Sequence, residues 1–448
     1  MKLNQTGTKV HMIGIGGVSM SPLAQVLNSR GLQVTGSDGM ESLETARLEA
    51  LGISVSIGHE KENLGKPDFV IRTAAVHDDN PEVQEARKLN IPVYERAQGW
   101  GELMKEYKNS LCIAGTHGKT TTTAMCSHIF LEAEKDPTIM LGGVLPSLGA
   151  GHHIGTGDTI IAESCEYCNS FHHFFPTVAV ILNVEEDHLD FFHNLKEIKA
   201  SFHTFGEKVP DNGMIIVCGE DENAINAVKD LPHLSFGIYT GDIHTENLSW
   251  HNGLPTFDLI YLGEKKGTIS LEVPGFHNVM NAIAAASASL FLGVEMGDIS
   301  KALKTFTGAG RRLQHKGEYH GAVVMDDYAH HPTELVALFT AVKKLNYKRI
   351  ICAFQPHTFT RTKAFLEDFA QVLLQVDQVL LLDIYAAREP DTGEVSSKML
   401  ADKIPQAQYT GGFPESLVVL QDLAQEGDLI LTVGAGDVFR LGEMLVGS

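Results

Sequence analysis

A strand, a glycine-rich loop and a helix follow one another at 110–131, and this order limits the folds open to the chain. The apolar run Ser110 to Ala114 leads directly into GTHGKTTTTA, and a helical pattern continues to about Leu131. The backbone N–H groups of such a loop point at phosphate oxygens, and the N-terminal end of the helix favours negative charge. The segment therefore predicts a phosphate-binding loop in an α/β sheet.

Two side chains of this loop are predicted to act on phosphates directly. Lys119 would bring its ammonium group to the β- and γ-phosphates of a nucleotide, and Thr120 would bind magnesium. Ile113 stands where the longer form of this pattern has its first glycine. A simple glycine turn is therefore the competing interpretation.

A second glycine loop lies near the start of the chain, between the strand-like run Lys9 to Ile15 and a helical pattern from Met20. Its residues Gly14 to Ser19 differ from the dinucleotide fingerprint because Ser19 replaces the final glycine. A diphosphate is the expected ligand, and Asp38 is placed for a ribose hydroxyl. A nicotinamide-dependent oxidoreductase would use the same loop, so this loop alone does not identify the nucleotide.

Apolar strands alternate with helical segments along the whole chain, which predicts an α/β protein. A length of 448 residues fits about three domains of ordinary size. We predict three open, mostly parallel sheets: a Rossmann-like N-terminal domain at 1–107, a P-loop ATPase-like central domain at 108–310 and a Rossmann-like C-terminal domain at 311–448. One helix is predicted over 362–375.

Charge and composition exclude several classes of partner. The 35 Lys and Arg against 56 Asp and Glu give a net charge of -21, which disfavours nucleic acid and anionic membranes. We find no apolar run of about 18 residues, so we expect a cytoplasmic protein. Cys165 and Cys168 form a C-x-x-C near His172 and His173, but their spacing fits no standard zinc site.

Polar side chains follow several predicted strands. Glu163 comes after TIIA and His188 after TVAVIL, and both are candidate magnesium partners in phosphoryl transfer. A hydrogen-bonded structural histidine is the alternative for His188. In the C-terminal part, Arg361 and the adjacent His357 form a plausible clamp for a carboxylate.

Taken in order, these motifs resemble the Mur ligase family over essentially the whole chain. They are GIGGVSMS, AGTHGKTTTTA, the Glu163 strand, NVEEDHLD, PGFHNVMNAIAA, GAGRR, DDYAHHPTE, FQPHTFTRT and DIYAARE. The last three are most similar to the branch of the family that adds L-alanine. In many relatives Cys165 and Cys168 are aspartates and Thr358 is an arginine, so the details of the substrate side differ here.

The resemblance assigns residues to each ligand. It implies that UDP-N-acetylmuramate binds to the first domain, ATP to the central domain and L-alanine to the C-terminal domain, with Mg²⁺ as cofactor. The UDP-sugar residues are Gly14, Gly16, Gly17, Val18, Ser19 and Asp38. The ATP residues are Gly115, Thr116, His117, Gly118, Lys119, Thr120, Thr121, His277, Asn278, Asn281, Arg312 and Asp327. The magnesium ligands are Thr120, Glu163 and His188, and the L-alanine residues are Tyr328, His330, His357 and Arg361.

The resemblance also implies a reaction of peptidoglycan precursor synthesis. The sugar carboxylate attacks ATP to give an acyl phosphate, and L-alanine then displaces phosphate, with Lys119, His188 and Arg312 as catalytic residues. A histidine among His188, His330 and His357 would accept the proton of the amine. A ligase that recycles a tripeptide is the alternative within the family, and a non-catalytic nucleotide sensor is the alternative outside it. The chain is expected to be a monomer or a homodimer.

Overall fold

The first part of the chain forms a parallel five-stranded sheet in the computed structural model, which describes residues 1, 3, 5–189, 191–387 and 389–447. The strands are β1 Lys9–Ile13, β2 Gln33–Asp38, β3 Ser54–Ile57, β4 Phe69–Arg72 and β5 Val93–Glu95. The helices are α1 Met20–Ser29, α2 Leu43–Ala50, α3 Pro81–Lys88 and α4 Arg96–Met104. The order β3-β2-β1-β4-β5 changes direction at β1, so the first glycine loop lies where such sheets bind ligands.

The middle of the chain forms a ten-stranded sheet in the order β15-β14-β13-β12-β11-β10-β6-β9-β7-β8. Its strands are β6 Asn109–Ala114, β7 Thr138–Leu145, β8 Ala150–His153, β9 Thr159–Glu163, β10 Val178–Ile181, β11 Met214–Cys218, β12 His233–Phe236, β13 Ile243–His251, β14 Leu254–Tyr261 and β15 Glu264–Ser270. Its helices are α5 Lys119–Glu132, α6 Leu195–Gly206, α7 Glu222–Val228, α8 Phe276–Phe291 and α9 Met296–Thr305.

The phosphate loop is held in the core of this sheet. Strand β6 pairs in parallel with both β10 and β9 and is almost wholly buried. The carboxyl ends of these three strands lie side by side, because parallel strands end at one edge of a sheet. The loop after β6, Glu163 at the end of β9 and the segment after β10 therefore meet at one edge.

The two flanks of the central sheet are antiparallel, which the sequence analysis did not predict in detail. Strands β13, β14 and β15 form a meander, and β7 pairs with β8. The first turn of the meander contains Asn252 and Gly253, with φ of +50° and +80°. Two positive φ values in succession mark a tight hairpin turn, for which Asn-Gly is a favoured pair.

The C-terminal part forms a six-stranded sheet in the order β16-β17-β21-β18-β19-β20. Its strands are β16 Gln314–Tyr319, β17 Ala322–Asp327, β18 Ile350–Phe354, β19 Gln378–Leu382, β20 Ala407–Gly411 and β21 Leu429–Val433. Its helices are α10 Pro332–Val342, α11 Phe359–Ala364, α12 Leu366–Leu373, α13 Ser397–Ala401, α14 Phe413–Leu423 and α15 Phe439–Val446. Only the edge strand β16 is antiparallel to its neighbour.

The single helix predicted over 362–375 was wrong. The chain forms two helices, α11 and α12, which are separated at Phe365 with φ −111° and ψ 24°. The ring of Phe365 packs edge-on against His331, with ring centroids 4.7 Å apart. This packing accompanies the break between the two helices, which apolar periodicity alone does not reveal.

The three sheets cover 9–95, 109–270 and 314–433. The domain limits 1–107, 108–310 and 311–448 fall between the sheets and stay a prediction. Two residues of the quoted motifs, Asp190 and Arg388, lie outside the described residues. Within the part of the chain that the structure describes, no helix is both long and apolar enough to cross a lipid bilayer.

Candidate active site

The phosphate loop between β6 and α5 is tightly packed against α8. Gly118 has φ +82° and directly precedes α5. A Cβ atom at this position would lie 2.7 Å from Asn281 Oδ1. The side chain of Asn281 also accepts a hydrogen bond from Thr122 Oγ1 at 3.2 Å. The predicted ATP residue Asn281 therefore lies directly against the loop, and a residue with a side chain at 118 would collide with it.

Lys119 folds over the loop and contacts a carboxylate that the sequence analysis did not single out as a site residue. Its Nζ donates to the carbonyl oxygen of Gly115, to Thr116 O at 3.1 Å and to Glu166 Oε2 at 3.1 Å. Burial opposes the ammonium charge, but Glu166, Cys165 and Glu163 together outweigh it and raise the pKa of Lys119. Lys119 is therefore a buried, permanently charged cation at the loop.

Thr120 and Glu163 form a pair of oxygen ligands beside the loop. Thr120 Oγ1 donates to Glu163 Oε1 at 3.0 Å, and Gly142 N donates to the other carboxylate oxygen at 2.8 Å. Glu163 is thereby held by the flanking hairpin strand β7. Among the described residues, no hydrogen bond joins the third predicted magnesium ligand, His188, to either of these side chains.

His188 lies against Glu166 and Asp187 instead. Its Nε2 is 3.9 Å from Glu166 Oε1 and 3.8 Å from Asp187 Oδ2. Burial lowers the pKa of His188 even though both carboxylates favour its charged form. The imidazole is therefore neutral at neutral pH and retains a lone pair for a metal ion or a proton.

His117 connects the phosphate loop to the C-terminal domain. Its Nδ1 is 3.3 Å from Glu334 Oε1 on α10, and its Nε2 is 3.5 Å from Glu185 Oε2. Burial opposes the charge, but these two carboxylates outweigh it and raise the pKa of His117 to about 9. Thr333 Oγ1 also donates to Glu185 Oε2 at 2.9 Å. The two domains are thus joined by a charged cluster.

The ligand atoms of His117, Glu185 and His331 lie within 4.8 Å of one another, as in a metal site. The raised pKa of His117 argues against a metal site, because the protonated imidazole has no free lone pair. His331 Nδ1 accepts from Thr333 N at 3.3 Å, which puts the proton of the neutral ring on Nε2. The cluster is therefore better suited to donating hydrogen bonds than to binding a metal ion.

A cavity of about 660 Å³ lies between the central and C-terminal domains. Several predicted ATP residues line it, namely His117, Gly118, Thr121, His277, Asn278, Asn281, Arg312 and Asp327. Burial raises the pKa of Asp327 to about 6, although Arg312 and two backbone N–H groups favour its ionised form. The cavity is large enough for a nucleotide and carries both charge signs.

The two consecutive arginines of GAGRR have different environments. Arg311 Nε donates to Asp326 at 3.0 Å, and its other nitrogens donate to Gly434 O and Gly436 O, so it is tied to the C-terminal sheet. Arg312 faces the cavity, where its closest anionic group is Glu334 at 3.7 Å. Arg312 is therefore the arginine available to a bound phosphate.

A smaller cavity of about 240 Å³ lies beside Arg361. Asp187, His188, His357 and Arg361 line it. Arg361 donates to Asp187 Oδ1 at 2.7 Å, while its buried Nε has no hydrogen-bond partner among the described residues. Burial opposes the charge of Asp187, but Arg361, His188 and His330 together outweigh it and lower the pKa of Asp187. The predicted carboxylate clamp is thus already paired with an acidic residue.

The other two predicted L-alanine residues lie next to this cavity. The rings of His330 and His357 are 5.8 Å apart, and those of His330 and Tyr328 are 5.5 Å apart. Burial lowers the pKa of His330 to about 4. The structure therefore brings all four predicted residues together, with Tyr328 and His330 outside the lining of the smaller cavity.

The first glycine loop is shaped mainly by backbone contacts. Gly14 N and Ile15 N donate to Ser37 O, and Gly16 N donates to Asp38 Oδ2 at 2.8 Å. Asp38 therefore braces the loop in this structure. Val18 is exposed, and Ser19 Oγ donates to Met140 Sδ at 3.7 Å, so the end of the loop contacts strand β7 of the central domain.

Comparison with known proteins identifies the family from all three parts of the chain. Residues 9–108 match the Mur ligase family, catalytic domain, residues 113–289 match the Mur ligase middle domain, and residues 311–436 match the Mur ligase, glutamate ligase domain. The chain belongs to the Mur ligase family. The resemblance of its motifs to this family is thereby confirmed, as is the three-domain α/β fold.

Similar Mur ligases cover nearly the whole chain. The chain is 44% identical over 450 residues to the UDP-N-acetylmuramate--L-alanine ligase of Clostridium novyi, which covers 99% of this chain and 98% of that protein. It is 44% identical to the enzyme of the same name from Acetivibrio thermocellus, with 98% and 95% covered. The crystal structure of UDP-N-acetylmuramate-alanine ligase from Thermotoga maritima matches with a TM-score of 0.82, 31% identity and 98% of each chain covered.

Sequence reasoning identified the loops of this Mur ligase but missed most carboxylates that face them. Glu166 and Glu334 are nearly buried, and each pairs with a predicted site residue. A sequence signal existed for both. Glu166 lies three residues after Glu163, and Glu334 stands in the third helical position after His331, where it closes a capping box.

Proposed function

We propose that this chain is an ATP-dependent ligase that joins L-alanine to the lactyl carboxylate of UDP-N-acetylmuramate, with ADP and phosphate as products. The observation that carries the proposal is near-complete coverage by relatives of that name at 44% identity. The arrangement of two glycine loops and two adjacent cavities fits a reaction with three substrates. Because ATP is the proposed phosphoryl donor, we propose that the reaction takes place in the cytoplasm.

ATP is proposed to bind in the larger cavity with its phosphates on the 115–121 loop. The backbone N–H groups of the loop and the start of α5 favour the β-phosphate. Lys119 and Arg312 approach from the central and C-terminal domains, so both can neutralise charge on the transferred group. Asn278 and Asn281 support the loop from α8.

Magnesium is proposed to bind at Thr120 and Glu163. The test of fit is the donor set: a hydroxyl and a carboxylate oxygen lie 3.0 Å apart, and Mg²⁺ prefers oxygen ligands. When bound, the ion would neutralise phosphate charge. His188 lies against Glu166 and is the third candidate ligand, and Lys119 is close enough to contribute to the lowered pKa of His188.

The lactyl carboxylate is a poor electrophile until it is activated. One of its oxygens attacks the γ-phosphorus of ATP, the bond to the β-phosphate oxygen breaks, and ADP leaves. The carboxyl carbon then carries phosphate as its leaving group. Lys119 and Arg312 stabilise the negative charge that spreads over the oxygens of the transferred group.

L-alanine is proposed to bind in the smaller cavity. Its carboxylate would take donors of Arg361, including the buried Nε that lacks a partner. The neutral amine attacks the acyl carbon, a tetrahedral intermediate forms, and phosphate leaves with the oxygen that came from the sugar. His188 and His357 both line the cavity, so each brings an imidazole near the amine for proton acceptance.

Phosphate release tests the proposal. The purified chain is supplied with ATP, Mg²⁺ and UDP-N-acetylmuramate, and then with L-alanine, glycine, L-serine or the tripeptide L-Ala-γ-D-Glu-diaminopimelate in turn. We expect release that requires both the UDP-sugar and L-alanine. Release with the tripeptide alone would assign the recycling activity instead, and no release with any acceptor would contradict a catalytic function.

A further inference from the structure

Arg96 is a half-buried cation that has no anionic partner in the part of the chain that the structure describes. The other four arginines of the first domain are all paired, as Arg30 with Glu106, Arg47 with Glu44, and both Arg72 and Arg87 with Asp78. Among the described residues, neither a hydrogen bond nor an ion pair reaches Arg96. Burial lowers its pKa, which means that the surroundings do not compensate its charge. Such an arrangement costs free energy unless an anion binds there.

Helix α4, which begins at Arg96, lies between the two nucleotide loops. Trp100 Nε1 donates to Ser19 O at 3.1 Å, which ties the helix to the end of the first glycine loop. On the other side, a Cβ atom added to Gly101 would lie 1.8 Å from His173 O, so the helix touches the segment that follows Glu163. Arg96 therefore stands on the path from one loop to the other.

The electrostatic neighbours of Arg96 indicate where its guanidinium lies. Cys165 and Glu95 are the residues whose charged forms would favour the cation. Cys165 directly precedes Glu166, and Glu166 Oε2 accepts a hydrogen bond from Lys119 Nζ at 3.1 Å. Arg96 is therefore close to the segment that contacts the lysine of the phosphate loop.

The proposed substrate carries an anion that must reach this place. Its diphosphate binds at the first glycine loop, and its carboxylate must approach the γ-phosphate near Lys119. Two anions repel each other as they approach, and a cation beside them reduces this repulsion. Lys119 and Arg312 serve the phosphate from the central and C-terminal domains. Among the described arginines of the first domain, Arg96 is the unpaired one.

We propose that Arg96 binds the reacting carboxylate of the sugar substrate and holds it for attack on the γ-phosphate. A guanidinium binds a carboxylate through two parallel hydrogen bonds, which fixes the direction of the attacking oxygen. The assignment rests on the proposed function. It adds a residue from the first domain to a site otherwise built from the other two.

The test compares two ligands that differ in the carboxylate. UDP-N-acetylglucosamine has the same nucleotide and sugar as UDP-N-acetylmuramate but lacks the lactyl group. Calorimetry measures both affinities for the full-length wild type, Arg96→Gln, Arg96→Lys and the control Arg87→Gln, which changes an exposed arginine of the same domain. We expect Arg96→Gln to weaken UDP-N-acetylmuramate about 10- to 100-fold and to leave UDP-N-acetylglucosamine unchanged.

Each other outcome overturns the inference in a different way. Equal losses for both ligands in Arg96→Gln but not in Arg96→Lys would show that Arg96 binds the diphosphate, and unchanged affinities would show that it binds neither anion. Failure of the wild type to bind UDP-N-acetylmuramate would contradict the proposed function itself. Arg96→Lys keeps the charge and should lose less affinity for UDP-N-acetylmuramate than Arg96→Gln. Equal losses for both ligands in both variants would show that Arg96 supports the fold and not the carboxylate.

Discussion

The two glycine loops of this chain begin alike and differ in what surrounds them. Each connects a buried parallel strand to a helix. The loop at Gly14 to Ser19 carries no charged side chain, and its contacts are backbone groups and the carboxylate of Asp38. The loop at 115–121 contains Lys119 and lies against Glu163 and Glu166.

This difference matches what happens to the phosphates on each loop. A diphosphate that only anchors a substrate can be held by backbone N–H groups at a helix N-terminus. A phosphoryl group that is transferred changes its charge distribution, so side chains must stabilise charge as it develops. The first loop is accordingly suited to binding and the second to reaction.

Substitution of Lys119, the cation of the second loop, should show the difference between the two loops most clearly. We expect Lys119→Met to lower kcat about 10³-fold, because a buried cation beside the transferred group is lost. Affinity for UDP-N-acetylmuramate should stay unchanged. Phosphate release and calorimetry measure the two effects, and Lys135→Met, an exposed lysine beyond the same helix, is the control. A loss below tenfold would remove Lys119 from catalysis.

A matched pair of alanine substitutions tests whether each loop serves one nucleotide. In Gly118→Ala the new Cβ would lie 2.7 Å from Asn281 Oδ1, at a φ of +82° that disfavours alanine. In Gly16→Ala it would lie 2.8 Å from Thr45 Cγ2. We expect ATP binding to weaken at least about tenfold in the first variant and UDP-sugar binding in the second. Calorimetry with both ligands measures this.

The proposed division between the two loops is contradicted if each variant loses affinity for the other ligand, or if each loses affinity for both. A loss of ATP affinity in Gly16→Ala as large as that in Gly118→Ala would mean that the loops do not act independently. Thermal unfolding of both variants serves as the control for misfolding. Equal melting temperatures with different ligand losses would support separate loops.

Arg361→Lys extends the test to the third substrate. Lysine keeps the positive charge but loses the planar fork that binds a carboxylate through two hydrogen bonds. We expect the KM for L-alanine to rise about tenfold, while the KM values for ATP and the UDP-sugar stay within about twofold. The control is Arg349→Lys. Arg349 directly precedes strand β18, where it pairs with Asp428. An unchanged KM for L-alanine would place the amino acid elsewhere.

The smallest expected effect concerns pH and the junction between the second loop and the C-terminal domain. Burial disfavours the charge of His117, but Glu185 and Glu334 raise its pKa to about 9 from 6.5. A raised folded pKa gives stability that is complete below pH 6.5 and is lost as the pH rises through 9. We expect a loss of about 1–3 kcal/mol over this range.

Urea unfolding at pH 6.5 and at pH 9.5 measures this contribution. His117→Gln should be less stable than the wild type at pH 6.5 and should lose less stability between the two pH values. His244→Gln, on strand β13 away from the junction, is the control. An identical pH dependence in wild type and His117→Gln would show that the imidazolium does not stabilise the junction.

The sequence predicted those parts of the site that depend on local order. A glycine loop after a strand fixes the position of Lys119, and parallel strands bring Glu163 to the same edge. Partners from distant elements were not predictable, because Glu334 reaches His117 across two domains and Asp187 meets Arg361 across 174 positions. The antiparallel meander was missed even though Asn252-Gly253 marked its first turn.

Oxygen transfer from the carboxylate to phosphate tests the central claim most directly. UDP-N-acetylmuramate labelled with ¹⁸O in its lactyl carboxylate is converted with ATP and L-alanine, and the released phosphate is analysed by mass spectrometry. An acyl phosphate predicts one labelled oxygen in each phosphate, because the attacking oxygen leaves with phosphorus. Phosphate without label would contradict transfer of the γ-phosphoryl group to the carboxylate.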